Sequence, residues 1–168
     1  MPERKQVQTM EHTQQTPLRR YLVGWLYAVA AGHLLGGFVL VWLGNSPLLG
    51  AYHQSIEQAF WGNDIPTTAH GMQVWWLALL GATVQSYALF LMALVHLGNR
   101  YRSSAAWGWL MVGLLVWAPQ DMLVSLQVGI WSHVWVDSFA LLCLLPPLLW
   151  LYRHDRQPDP TRPAAHHA

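Results

Sequence analysis

Charge is scarce in this chain of 168 residues. Only 10% of them are Asp, Glu, Lys or Arg, whereas soluble domains average about 25%. Hydrophobic residues make up 54%. This imbalance excludes an ordinary soluble surface and indicates a membrane protein, with the lipid bilayer as its first partner. The net charge of +1 provides no basic surface for nucleic acid, so no nucleic-acid partner is expected.

Cysteine is almost absent. The single residue, Cys143, excludes a disulfide within the chain and any CxxC redox pair. Cys143 lies in an apolar run, where it is expected to act as a small packing residue. Thiol chemistry is therefore a poor basis for a function.

Four long apolar stretches dominate the rest of the chain. Each has about the 20 residues that a helix needs to cross the hydrocarbon core. The sequence therefore predicts an all-α polytopic membrane protein with four transmembrane helices in a domain spanning residues 19–152. The polar ends, 1–18 and 153–168, are predicted to be disordered cytoplasmic tails. The four stretches cover residues 21–43, 73–97, 105–128 and 130–152.

The connection between the first two stretches predicts an additional helix. Ser46 and Pro47 are a favourable helix start. Apolar side chains then recur every three or four residues, from Leu48 to Phe60, while polar side chains occupy the opposite face. This pattern is typical of an amphipathic helix on the outer membrane surface.

Basic residues are missing from residues 44–72 and from the turn after Val128. All nine Lys and Arg fall on the other side of the four spans, which predicts an inner (plasma) membrane protein with both termini in the cytoplasm. Most tryptophans lie near the predicted span ends and suggest an aromatic belt, whereas Trp117 lies within a span.

Polar groups inside the spans are the candidate functional residues. An ionisable group in the bilayer costs a few kcal/mol, so it is expected to face the bundle interior and to find a partner. Asp and His in such a setting form a plausible acid–base device, although interhelical hydrogen bonding alone also explains them. The candidate catalytic residues are Asp121, Asp137, His133 and His33. The candidate ligand-pocket residues are Gln85, Gln120, Trp117, Glu57 and His53.

Two other interpretations of the candidate histidines and Glu57 remain, a metal site and a haem site. His53 and Glu57 stand four apart and could contribute to a metal site, and His33 with His133 could ligate a haem. No metal and no cofactor is predicted from so few ligands. Gly32 and Gly36 form a G-x-x-x-G pattern that permits close helix packing, within the bundle or in a homo- or hetero-oligomer.

Several short stretches resemble the EXPERA domain of the emopamil-binding and sigma-two-receptor proteins. They are RYLVGWLYAVAAGH (20–33), FWGNDIP (60–66), VQSYALF (84–90) and the pair Pro146-Pro147. The resemblance implies a helical membrane protein that binds or isomerises sterol-like molecules in an intramembrane cavity. That family carries acidic residues in its first two spans, and here those spans have none. The four-span plan is also similar to that of DoxX-like membrane proteins.

The leading functional hypothesis is an intramembrane pocket in the outer half of the bundle that binds or transforms a small lipidic or quinone-like molecule. One alternative is a non-catalytic membrane scaffold or assembly partner. A second is a haem or metal redox subunit of the membrane.

Overall fold

The computed structural model describes residues 17–156, and within this range all regular structure is helical. Four helices are long and apolar enough to cross a membrane, which confirms the predicted all-α, four-span fold of a multi-pass membrane protein. The predicted tails lie outside the described residues, except for Pro17, Leu18 and residues 153–156, which are helical. The helices are α1 (Pro17–Trp42), α2 (Gly50–Trp61), α3 (Ala69–Tyr101), α4 (Ser104–Gln127) and α5 (Trp131–Arg156).

Tight connections make α3, α4 and α5 neighbours in space. Arg102, in the left-handed region at φ 48°, ends α3, and the Ser103 hydroxyl oxygen caps α4 by accepting the Ala106 N–H at 3.4 Å. A short turn with Gly129 at φ 73° joins α4 to α5. Glycine accommodates this conformation without the Cβ penalty of other residues.

The spans form two antiparallel pairs, α1 with α3 and α4 with α5. At the α1–α3 crossing the backbones touch, since a Cβ added to Gly37 would lie 2.6 Å from the carbonyl oxygen of Gly81. The two glycines of the G-x-x-x-G pattern are not at this crossing. Within the part of the chain that the structure describes, a Cβ added to Gly32 or Gly36 would meet no atom within 4 Å.

The hydrophobic core lies toward the end of the bundle that carries the arginines. All four spans contribute to it. Large hydrophobic side chains elsewhere are exposed on the protein surface, as expected of helices that face lipid. The core consists of Val23, Leu26, Ala30, Leu91, Val95, Trp107, Leu110, Leu114, Leu148 and Leu151.

A buried ion pair closes this end of the bundle. Arg19 of α1 donates to Asp155 of α5 from Nε at 3.1 Å and from Nη2 at 3.0 Å, and both side chains are fully buried. Arg19 Nη1 also donates to Asn99 Oδ1 of α3 at 2.8 Å. Trp107 Nε1 of α4 donates to Asp155 Oδ2 at 2.9 Å. One network therefore connects all four spans.

Trp107 fits into this network because α3 has a glycine opposite its ring. A Cβ at Gly98 would lie 2.7 Å from Cζ2 of Trp107. Trp107 is consequently fully buried although it is the largest side chain in the core. Its indole N–H, which would be costly to bury alone, is satisfied by Asp155.

We expect Arg19→Met to destabilise the protein by roughly 3–5 kcal/mol, because it leaves the Asp155 carboxylate buried without its cationic partner. Thermal unfolding in detergent micelles measures the effect. Arg153→Met is the matched control, since Arg153 is exposed near the same end. The double variant Arg19→Met/Asp155→Leu should recover part of the loss, because it removes the unpaired carboxylate but leaves the Trp107 indole N–H without its acceptor. Equal stability of the Arg19 and Arg153 variants would contradict the assigned role.

Candidate functional site

A polar cluster joins α2 to the α4–α5 hairpin at the end of the bundle opposite the Arg19 network. His133 is its centre. The Tyr52 hydroxyl lies 3.2 Å from His133 Nε2, and the two rings are parallel with centroids 6.0 Å apart. On the other side of the imidazole, Nδ1 lies 3.3 Å from Ser125 Oγ and 3.9 Å from Asp121 Oδ2. These contacts connect a surface helix with two spans.

The Tyr52 hydroxyl and one tautomer of His133 together give a consistent set of hydrogen bonds in the cluster. Burial, and secondarily the negative charge of Asp121, raise the pKa of Tyr52 above its usual value of 10.0. The phenol therefore keeps its proton. It donates to His133 Nε2 in the tautomer that carries the imidazole proton on Nδ1, and that proton then faces Ser125 and Asp121.

Asp121 and Asp137 bring two carboxyl groups together in this cluster. Asp121 lies on α4 and Asp137 on α5, and the two carboxyl groups are neighbours across the hairpin. Asp137 is buried, at 2% exposure, and its Oδ2 has no hydrogen-bond partner among residues 17–156. Asp121 is more accessible, with 36% of its side chain exposed. The pair therefore places one buried and one accessible carboxyl group beside His133.

His53 holds α2 in place beside the spans. It is buried, with Nε2 at 2.8 Å from the carbonyl oxygen of Gly44 and Nδ1 at 2.9 Å from Gln73 Oε1. A carbonyl can only accept, so Nε2 carries the proton of the neutral ring. Nδ1 then needs a donor, which rotation of the Gln73 amide by a half turn supplies. The same rotation gives the otherwise unsatisfied Gln73 Nε2 a partner.

A cavity of about 460 Å³ lies between α2 and α3, next to the polar cluster. Its volume is within the range of small-molecule sites. Tyr52 lines this cavity and also contacts His133, so one side chain belongs to both features. The walls are otherwise nearly all apolar and include Ile56, Phe60, Trp61, Met72, Trp76, Leu77 and Leu80.

The candidate residues from the sequence separate into groups. Asp121, His133 and Asp137 come together as described. His33 is bound to its own helix, with Nδ1 at 2.8 Å from the Val29 carbonyl oxygen, and its ring makes an edge contact with Tyr87 of α3.

The candidate pocket residues do not share one location. Gln85 lies at the α1–α3 crossing beside Gly37. Gln120 is exposed and donates to the Val116 carbonyl oxygen at 2.6 Å, and Trp117 is 46% exposed. Glu57 faces His70, with Oε1 at 3.6 Å from Nδ1.

His53 and Glu57, the two candidate metal ligands from the sequence, contact different residues. His53 hydrogen-bonds to Gly44 and Gln73, whereas Glu57 pairs with His70. Within residues 17–156 no group of three or more His, Cys, Asp or Glu side chains has a geometry suited to a metal ion.

Sequence reasoning did not identify Tyr52, Gln73 and Ser125 as site residues. Tyr52 belongs to the apolar face of the amphipathic pattern, and an aromatic residue on such a face is normally assigned a role in packing. Its hydroxyl was the available signal, because a buried Tyr O–H generally needs a partner. Ser125 is four residues from Asp121 on the same helix face, a spacing that could have linked them.

Comparisons of the chain with family models, curated proteins and solved structures find no match. The assignment of a function therefore rests on the geometry of the site.

We expect His53→Leu to loosen α2, because the Gly44 carbonyl and the Gln73 side chain lose a buried partner at a cost of roughly 1–3 kcal/mol. Limited proteolysis of residues 44–68 should become about tenfold faster or more, since about 1.4 kcal/mol corresponds to a factor of ten. Gln54→Leu is the control at the exposed neighbouring position. Equal cleavage rates for the two variants would contradict the docking role of His53.

Proposed function

We propose that this integral membrane protein binds a small lipidic or quinone-like molecule in the cavity between α2 and α3 and exchanges a proton with its polar group. The observation that carries the proposal is that the Tyr52 side chain lines the apolar cavity and also hydrogen-bonds to His133 of the polar cluster. A ligand in the cavity therefore lies beside groups that can act as acid and base.

The cavity walls support an apolar ligand body. Phe60, Trp61 and Trp76 provide aromatic surface, and Leu77 and Leu80 provide aliphatic surface. Among the described residues of the lining, Tyr52 supplies a hydroxyl group and Gln73 an amide, beside the indole N–H groups of the two tryptophans. Sites of this kind use many apolar contacts for affinity and a few polar groups for orientation.

The cluster supports proton exchange. Tyr52, His133 and Asp121 form a continuous chain of polar groups, and Asp137 extends it. A proton that a ligand releases to the Tyr52 oxygen can be passed on, because Tyr52 then gives its own proton to His133 Nε2 and His133 gives its Nδ1 proton to the Asp121 carboxylate. The unsatisfied Oδ2 of Asp137 is a further acceptor in this chain.

Binding of decylubiquinone and of oleic acid, counted by native mass spectrometry, tests the proposal. Tyr52→Phe should lower affinity for the preferred probe about three- to tenfold, because it removes one hydrogen bond and keeps the ring. Leu80→Trp should abolish binding by filling the cavity, and the exposure of Leu80 allows the larger side chain to fold. We expect binding to depend on pH through the carboxyl groups of the cluster, so Asp137→Asn should retain binding but weaken this pH dependence.

Asp64→Asn is the control for the carboxylate change, since Asp64 lies in the connection after α2. If neither probe binds the wild type, or if Tyr52→Phe and Leu80→Trp bind as the wild type does, the proposal is wrong. If the Asp121→Asn and Asp137→Asn variants fold less well but bind with the pH dependence of the wild type per folded molecule, the carboxyl pair is structural. That outcome would favour the scaffold alternative.

We also assign both termini to the cytoplasmic side of a plasma membrane, on the strength of the arginine distribution. The exposed arginines of the described residues lie at the end of the bundle where α1 begins and α5 ends. Alkaline phosphatase inserted at residues 62–66 should be active in a bacterial host, and green fluorescent protein fused to the C-terminus should fluoresce. The reverse pattern would overturn this orientation.

A further inference from the structure

The outer faces of α1 and α3 at the arginine end carry a second hollow, separate from the site described above. It has a volume of about 470 Å³. Leu89, Met92, Ala93 and Leu97 of α3 supply apolar walls, and the remaining lining residues are Tyr27 of α1 and His96 of α3. The Tyr27 hydroxyl lies 3.4 Å from His96 Nδ1, so a polar pair lies beside the apolar surface.

Two arginines lie on the same helix faces, nearer the end of the bundle. Arg100 follows His96 by four residues on α3, and Arg20 precedes Tyr27 by seven residues on α1. Both spacings return a side chain to nearly the same face of a helix. The helical rise places Arg100 roughly 6 Å and Arg20 roughly 10 Å from the polar pair along the axes.

The two arginines lie at one level of the bundle. Their neighbours Arg19 and Asn99 are hydrogen-bonded across the same two helices at 2.8 Å. Arg20 and Arg100 are both exposed, and the Arg100 guanidinium lies 5.6 Å from the centre of the Tyr101 ring. Asp155, which could neutralise them, is fully buried and committed to Arg19. Among residues 17–156, the positive charge of Arg20 and Arg100 has no acidic partner within ion-pair distance.

We propose that this face is a binding site for one anionic glycerophospholipid of the surrounding bilayer. Arg20 and Arg100 bind the phosphate, the Tyr27–His96 pair contacts the glycerol ester region below it, and an acyl chain occupies the hollow beside Leu89 and Ala93. The order of these groups along the helices matches the order of headgroup, ester and chain in the lipid. Guanidinium groups suit phosphate because they can donate two parallel hydrogen bonds.

Charge complementarity selects an anionic lipid over a zwitterionic one. A basic residue near the membrane surface contributes about 1 kcal/mol of attraction to anionic lipid, which corresponds to roughly a fivefold change in affinity. Arg20 and Arg100 should therefore bind an anionic phospholipid more tightly than phosphatidylcholine, because the positive charge of the choline group offsets part of the attraction to its phosphate.

Native mass spectrometry with delipidated protein tests the proposal. The probes are palmitoyl-oleoyl phosphatidylglycerol and the phosphatidylcholine with the same chains. The affinity for the first bound phosphatidylglycerol should exceed that for phosphatidylcholine. Arg20→Gln/Arg100→Gln should lower it about 25-fold, at roughly fivefold for each arginine.

Arg153→Gln/Arg156→Gln is the matched control, because it removes the same charge from exposed positions on α5 at the same end. It should change the first binding event less than twofold. Ala93→Phe should weaken binding of phosphatidylglycerol without any change of charge, whereas Ala82→Phe, at another exposed position of α3, should not.

Three outcomes would overturn the proposal. Equal losses in the two arginine double variants would mean general attraction to anionic lipid rather than a site. Equal affinity of the wild type for the two phospholipids would remove the charge recognition. Equal thermal stabilisation by inorganic phosphate and by phosphatidylglycerol would assign the arginines to a soluble anion. All substituted positions are outside the core, and the unfolding temperature of each variant verifies its fold.

Discussion

Burying an arginine and an aspartate costs several kcal/mol for each ion unless both are fully hydrogen-bonded, and this constraint determines how the four spans meet. Arg19 donates two hydrogen bonds to Asp155 and one to Asn99. Trp107 donates a further hydrogen bond to Asp155. Because the four partners come from four different spans, the network requires all of them to converge at one end. The hydrophobic core lies directly beside it.

The opposite end of the bundle has a different organisation. There the connection between the helix pairs depends on polar contacts from α2, chiefly Tyr52 on His133, with His53 anchoring α2 to Gly44 and Gln73. A tightly packed core leaves little space for a ligand. At the opposite end, α2 bridges the spans through only a few hydrogen bonds. That end therefore has space for both a cavity and an acid–base cluster. Stability and the proposed function are thus assigned to opposite ends.

Apolar run length and turn residues were sufficient to predict the four spans and the additional helix α2. The hairpin between α4 and α5 was also sufficient to bring Asp121, His133 and Asp137 to similar depth, because residues on either side of a short turn are neighbours. Contacts between elements that are distant in sequence could not be predicted in this way. Tyr52 reaches His133 across 81 positions and Arg19 reaches Asp155 across 136, and no periodicity encodes the rotation of one helix against another. For the same reason the sequence predicts one pocket for His33, Gln85 and Gln120, whereas the structure gives each of them different contacts.

The amino-acid sequence by itself determined that this is a helical membrane protein, because in lipid the backbone must satisfy its own hydrogen bonds and about 20 apolar residues are needed for each crossing. It also determined which residues are ionisable and their depth along each helix. Tertiary structure decided which of these groups meet. The close approach of Gly37 and Gly81, rather than Gly32 and Gly36, establishes the α1–α3 crossing, and the burial of Arg19 with Asp155 aligns the four spans. Side-chain partners follow from the rotation and tilt of packed helices, which depend on all of the contacts at once.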